Sequence, residues 1–140
     1  MDIIIRTQYE FEAAHFLPNY KGKCSNLHGH NWKVVVKVKG DRRLKDKNGI
    51  LWDFSNLKLL INMLDHGVIL NNNKNDKERD LVKYLTKYNM KYVLLNAEVS
   101  AENIAMYIWK NLKSSYNNLK FSVVVYENKK SYAKVGDINV

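Results

Sequence analysis

With 140 residues, 46% of them hydrophobic and 26% charged, the chain has the size and make-up of one compact domain rather than a disordered segment. Its formal net charge of +9 attracts polyanions, but Arg6, Arg42, Arg43 and Arg79 are the only arginines among 23 basic residues. Arginine is the usual bidentate reader of phosphates and guanine edges, so the charge argues only weakly for a nucleic-acid partner. No apolar run approaches the roughly 18 residues of a membrane span, and the opening Met1–Arg6 lacks the basic flank and long apolar stretch of a signal peptide. A single cysteine cannot make an internal disulfide, which leaves a cytoplasmic enzyme or binding domain as the expectation.

The first predicted element alternates, with Ile3, Ile5, Tyr9, Phe11 and Ala13 on one parity and Arg6, Gln8, Glu10 and Glu12 on the other. That is the period of a half-buried strand. A second strand is predicted over 28–39, with Trp32, Val34, Val36 and Val38 inward and Lys33, Lys37 and Lys39 outward. Residues 40–49 read as a polar turn, after which Ile50-Leu51-Trp52 extends the sheet briefly. Ser55 is then expected to cap a helix whose Leu57, Leu60, Ile61 and Leu64 follow helical spacing up to Asp65-His66-Gly67. The Asn- and Lys-rich stretch 71–92 is predicted as an excursion with a short helix around 81–85. Ser100 caps a second main helix marked by Ile104, Ile108 and Leu112, and residues 121–127 and 132–135 close the chain as a hairpin. No internal repeat is evident. The order strand, strand, helix, helix, strand, strand predicts one α+β domain over residues 1–140: a four-stranded antiparallel sheet with two helices packed on one face.

The chemistry concentrates on a few residues. His28 and His30 are two apart on a strand and share its apolar face, and His15 continues the inward parity of the first strand. Neutral imidazole is the commonest nitrogen ligand of zinc, and three histidines with one open position suit a catalytic site; core histidines bonded to carbonyls are the plainer alternative. Cys24 precedes His28 by four residues and is flanked by Lys21 and Lys23, which favour thiolate. It reads as a reactive thiol, as a fourth ligand closing a structural zinc site, or as a small buried hydrophobe. Asp65 beside His66 fits a carboxylate that orients a general acid/base, or a histidine placed for the helix dipole. Glu127 has the inward parity of Val123 and Val125 and needs a partner there, either a lysine or a ligand edge with two adjacent N–H groups.

Taken in chain order, Phe11-Glu12-Ala13-Ala14-His15, Cys24-Ser25-Asn26-Leu27-His28-Gly29-His30-Asn31, Leu64-Asp65-His66, Ser100-Ala101-Glu102-Asn103 and Val125-Tyr126-Glu127 resemble the 6-pyruvoyl-tetrahydropterin and 6-carboxytetrahydropterin synthase family, of the tunnelling fold. The three-residue gap between Cys24 and His28 is similar to that of the bacterial carboxy-forming branch. The resemblance implies a zinc ion held by His15, His28 and His30, with proton transfers by Cys24, Asp65 and His66. It further implies that Glu127 anchors the pyrimidinone edge of a pterin and that Ser100 lies near that ring. The implied assembly is a homohexamer of two trimers, with active sites between subunits, so that Cys24 and His66 can come from different chains. Asn128 stands where the family commonly has threonine, and Val99 where bacterial members often have proline.

The activity implied is that of a zinc-dependent lyase turning 7,8-dihydroneopterin triphosphate into 6-carboxytetrahydropterin, as in queuosine-type deazapurine biosynthesis. The alternative within the family is the pyruvoyl-forming reaction of the biopterin pathway. The alternatives outside that activity are a basic nucleic-acid-binding domain with structural zinc and an inactive family member serving as an assembly subunit, against which the intact Cys24, Asp65 and His66 argue.

Overall fold

The computed structural model describes residues 1–72 and 75–139. Its elements run β1 (Asp2–His15), β2 (His28–Asp41), α1 (Ser55–Leu64), β3 (Gly67–Asn71), α2 (Asp76–Lys87), β4 (Tyr92–Leu95), α3 (Ala101–Ser115), β5 (Lys120–Tyr126) and β6 (Tyr132–Gly136). One mixed sheet joins all six strands in the order β4-β3-β1-β2-β5-β6. β1, β2, β5 and β6 are antiparallel neighbours, whereas β3 runs parallel to β1 and β4 parallel to β3.

The long strands follow the alternation in the sequence. Phe11 and Ala13 on β1, Trp32, Val34, Val36 and Val38 on β2, and Phe121, Val123 and Val125 on β5 are buried on one face. Leu57, Ile61 and Leu64 of α1 and Ile104, Ile108 and Leu112 of α3 pack against that face in a single apolar cluster. Burying each such side chain contributes roughly 1.5–3 kcal/mol.

Among the described residues, six strands and three α-helices replace the expected four strands and two helices. β3 and β4 escaped that expectation because both are short: β3 is covered on both sides, and β4 is a four-residue edge strand whose Leu94 is exposed. Ile69 joins the main core, while Val68 and Leu70 face a second cluster with Phe16, Leu85, Leu81, Val82 and Tyr92. Strands buried on both faces are continuous apolar runs without alternation. For the same reason the helices do not share one face: α2 packs on the side opposite α1 and α3. The predicted short helix around 81–85 is the later part of α2, which begins at Asp76 after the Asn75 side chain accepts a hydrogen bond from Lys77 N. Residues 73 and 74 of the Asn- and Lys-rich stretch lie outside the described residues.

Two local expectations also change. Ser55 is the first residue of α1 and not its cap; the Asp53 carboxylate accepts from both Ser55 N (2.9 Å) and Ser55 Oγ (2.8 Å). Ile50-Leu51-Trp52 adds no strand, and Trp52 instead turns inward against Tyr116 and Phe121. Ser100 does cap α3, its Oγ accepting from Asn103 N at 3.2 Å. At the close of β6, Gly136 has φ 138°, and a Cβ there would meet Phe121 O at 2.1 Å, so only glycine fits.

Candidate metal centre and active site

The antiparallel register places His15, the last residue of β1, opposite His28, the first of β2, and sets Ala13 opposite His30. Alternation then puts all three imidazoles on the core face. Their ring centroids are 4.6 Å apart for His15 and His28, 5.2 Å for His15 and His30, and 4.7 Å for His28 and His30. Trp32, fully buried, forms one wall edge-on to His15 and His30, and its indole N–H is anchored on Ala13 O at 3.1 Å.

Hydrogen bonds to backbone carbonyls orient two of the rings. His15 Nδ1 lies 2.7 Å from Val99 O, and His28 Nδ1 lies 2.6 Å from Asn26 O. A carbonyl only accepts, so each Nδ1 carries the proton and each Nε2 presents a lone pair. The Nε2 atoms of His15, His28 and His30 are all buried without a hydrogen-bond partner. Burial pushes the His15 pKa below the ordinary value, against an opposing contribution from the Val99 hydrogen bond. The His30 pKa also falls through burial, although Glu127 opposes the shift. Both effects keep these imidazoles in the neutral form that binds metals.

Glu127, just beyond β5, completes the cluster. Its Oε1 is 2.9 Å from His30 Nε2, a close contact without hydrogen-bond alignment, and 3.5 Å from His15 Nε2. One donor atom from each of His15, His28, His30 and Glu127 lies within 4.8 Å of every other. The inward parity of Glu127 was legible in the sequence; its partners are histidines and not a lysine.

The other candidates stand outside that four-donor group. Cys24 lies half-buried in a 3-10 turn (Lys23–Ser25), whose carbonyl at Cys24 accepts from Leu17 N at 2.7 Å. Lys21 and Lys23 are exposed beside it. Asp65 and His66 are held against β1 at Glu12: Asp65 Oδ1 accepts from Glu12 N (2.9 Å), and His66 N donates to Glu12 O (2.6 Å). Asp65 Oδ1 is also 3.0 Å from His66 Nδ1. The Glu12 N–H, more than His66, lowers the Asp65 pKa, so the carboxylate stays charged. His66 has φ 60°, in the left-handed region that a non-glycine residue adopts only when its surroundings hold it there, and its ring is 78% exposed. It borders an open cleft shared with Glu12, Ala14, Gly29 and His30.

Sequence reasoning missed three supports. The Val99 and Asn26 carbonyls are backbone atoms and carry no side-chain signal. Lys91, in the Asn- and Lys-rich stretch, clamps the end of α1 by donating to Asn62 O (2.5 Å) and Asp65 O (2.6 Å). The two departures from family habit have local work: Val99 supplies the carbonyl for His15, and Asn128 Oδ1 ties the β5–β6 turn by accepting from Lys130 N and Ser131 N.

The profile described as 6-pyruvoyl tetrahydropterin synthase matches residues 4–137. The chain is 31% identical over 136 residues to the 6-carboxy-5,6,7,8-tetrahydropterin synthase of Haemophilus influenzae, covering 93% of this chain and 96% of that one. It is also 31% identical over 124 residues to the enzyme of that name from Bacillus subtilis, covering 88% and 69%. Among solved structures, 6-pyruvoyl tetrahydropterin synthase from Plasmodium vivax superposes with a TM-score of 0.68 at 22% identity, over 98% of both chains. An uncharacterized protein from Wolinella succinogenes superposes with a TM-score of 0.76 at 19% identity, over 99% of both. With its histidine cluster at the β1–β2 end and a profile match over almost its whole length, the chain belongs to the 6-pyruvoyl tetrahydropterin synthase family.

Proposed function

We propose that the protein is a zinc-dependent lyase that converts 7,8-dihydroneopterin triphosphate and water to 6-carboxy-5,6,7,8-tetrahydropterin, acetaldehyde and triphosphate. The observation that carries this reading is the set of three buried Nε2 atoms, each without a hydrogen-bond partner and all turned toward one another. Buried polar atoms are rarely left unpaired, and lone pairs from three neutral imidazoles suit zinc. His15, His28 and His30 would therefore hold the ion. When bound, zinc supplies Lewis acidity that lowers the pKa of a coordinated hydroxyl.

The remaining roles belong to the chain's own side chains. Cys24, in the turn that leads into His28, removes a proton from the substrate side chain next to the ring. His66, oriented by the ionised Asp65, exchanges a proton with a substrate hydroxyl. Glu127 anchors the two adjacent N–H groups of the pyrimidinone edge when pterin is bound, and the Ser100 hydroxyl, which accepts from Asn103 N, keeps its own hydrogen to donate toward that ring. The net charge of +9 suits a triphosphate.

The exposure of His66, on a cleft outside the four-donor group, supports an active site completed by a second copy of the chain within a homohexamer. Among the described residues no helix is long and apolar enough to cross a membrane. We place the protein in the cytoplasm, in the queuosine-type route. Mass spectrometry of the product formed by zinc-loaded protein from 7,8-dihydroneopterin triphosphate tests the assignment. The carboxy compound with acetaldehyde is expected. The pyruvoyl compound would move the protein to the family's other branch, and unconsumed substrate would refute both.

A further inference from the structure

Glu127 carries chemistry that the pterin-anchoring role does not use. Its Oε1 sits 2.9 Å from His30 Nε2 and 3.5 Å from His15 Nε2. Donors sharing a tetrahedral zinc ion, with bonds of about 2.0–2.2 Å, are separated by about 3.3 Å, so these spacings are those of ligands in one coordination sphere. A carboxylate separated from the ion by a second shell would lie farther from the imidazole nitrogens.

The protonation pattern leads to the same conclusion. His15 Nδ1 holds its proton on Val99 O, so His15 Nε2 faces the carboxylate with a bare lone pair. Two lone-pair donors at 3.5 Å repel each other unless a cation sits between them. Cys24, the other candidate for a fourth ligand, is not in the group of mutually close donors.

We infer that Glu127 is the fourth ligand of the metal in the substrate-free protein, closing a His15, His28, His30 and Glu127 site that opens when substrate takes the corner. The inference rests on the zinc site proposed above and is independent of which product the enzyme makes. A carboxylate that both closes the resting site and pairs with the pterin edge can do only one at a time. Substrate binding and release of the corner are thereby coupled in a single side chain, and water is kept off the metal until substrate arrives.

The test is metal binding by the full chain, without turnover. Zinc affinity is measured by competition with a chromophoric chelator, and cobalt(II) is titrated in its place to read the coordination sphere by visible absorption. Wild type is compared with Glu127→Gln and Glu127→Asp, with thermal melting to verify folding. Both variants are expected to bind zinc about 10–100-fold more weakly, and their cobalt bands to shift from those of wild type. Affinity within twofold of wild type and an unchanged cobalt spectrum in Glu127→Gln would overturn the inference while leaving the three-histidine site intact. Failure of the wild-type chain to bind zinc would overturn both.

Discussion

Asp65→Ala probes how the end of α1 is locked to β1. The substitution removes the acceptor of the 2.9 Å hydrogen bond from Glu12 N and the 3.0 Å contact to His66 Nδ1. An unsatisfied backbone N–H costs about 1–3 kcal/mol when fully buried. The Asp65 side chain is 35% exposed, so water replaces part of the bond, and the cost falls to about 1–1.5 kcal/mol. For a chain of this length that is a fall in Tm of about 3–5 °C. Asp65→Asn keeps an acceptor but not the charge, and should lose less.

The two variants also separate by pH. The folded Asp65 pKa is depressed below 3.8, chiefly by the Glu12 N–H. Its charge-dependent stabilisation is therefore complete above the unfolded pKa and disappears as pH falls through the lower folded value. Urea denaturation should show a gap between wild type and Asp65→Asn at pH 6 that narrows as the pH is taken below 3.8. A gap that stays constant across that range, or an Asp65→Ala protein melting within 1 °C of wild type, would refute the reasoning.

Three further outcomes are expected. Cys24→Ala should retain zinc, read by elemental analysis, while turnover of the pterin triphosphate falls by at least about a hundredfold; loss of the metal would make Cys24 a ligand. His28→Ala should deplete zinc, and full occupancy in that variant would contradict the three-histidine site. The metal-free protein should lose stability as pH drops below about 6.5, because the unfolded chain then protonates histidines while burial holds His15 and His30 neutral in the fold. Denaturation midpoints compared at pH 7.5 and pH 5 test this, and equal stabilities would contradict the burial of those rings.

The histidine site was readable from the linear chain because alternation on a strand is a strict geometric rule. Once Phe11, Ala13 and His15 share a parity with the core, and His28 and His30 share one with Trp32, only strand adjacency is needed to bring the rings together. The cap at Ser100 and the stripe of Ile104, Ile108 and Leu112 were readable for a similar reason, since each rests on contacts within a few residues. Residues 67–71 and 92–95 obeyed no such local rule. Their apolar runs become strands only because β1 offers a free edge and α2 covers the second face, which are long-range facts.

The division follows from the range of the forces involved. Local periodicity and the motif residues were enough to identify the α+β class, the core face, the three imidazoles and the family. Tertiary packing decided what lies far apart in the chain: the sheet of six strands, α2 on the opposite face, the Val99 carbonyl orienting His15, and Asp65-His66 docked on Glu12. It also set the Glu127 carboxylate against His30, a contact across 97 residues that no pattern of neighbours specifies.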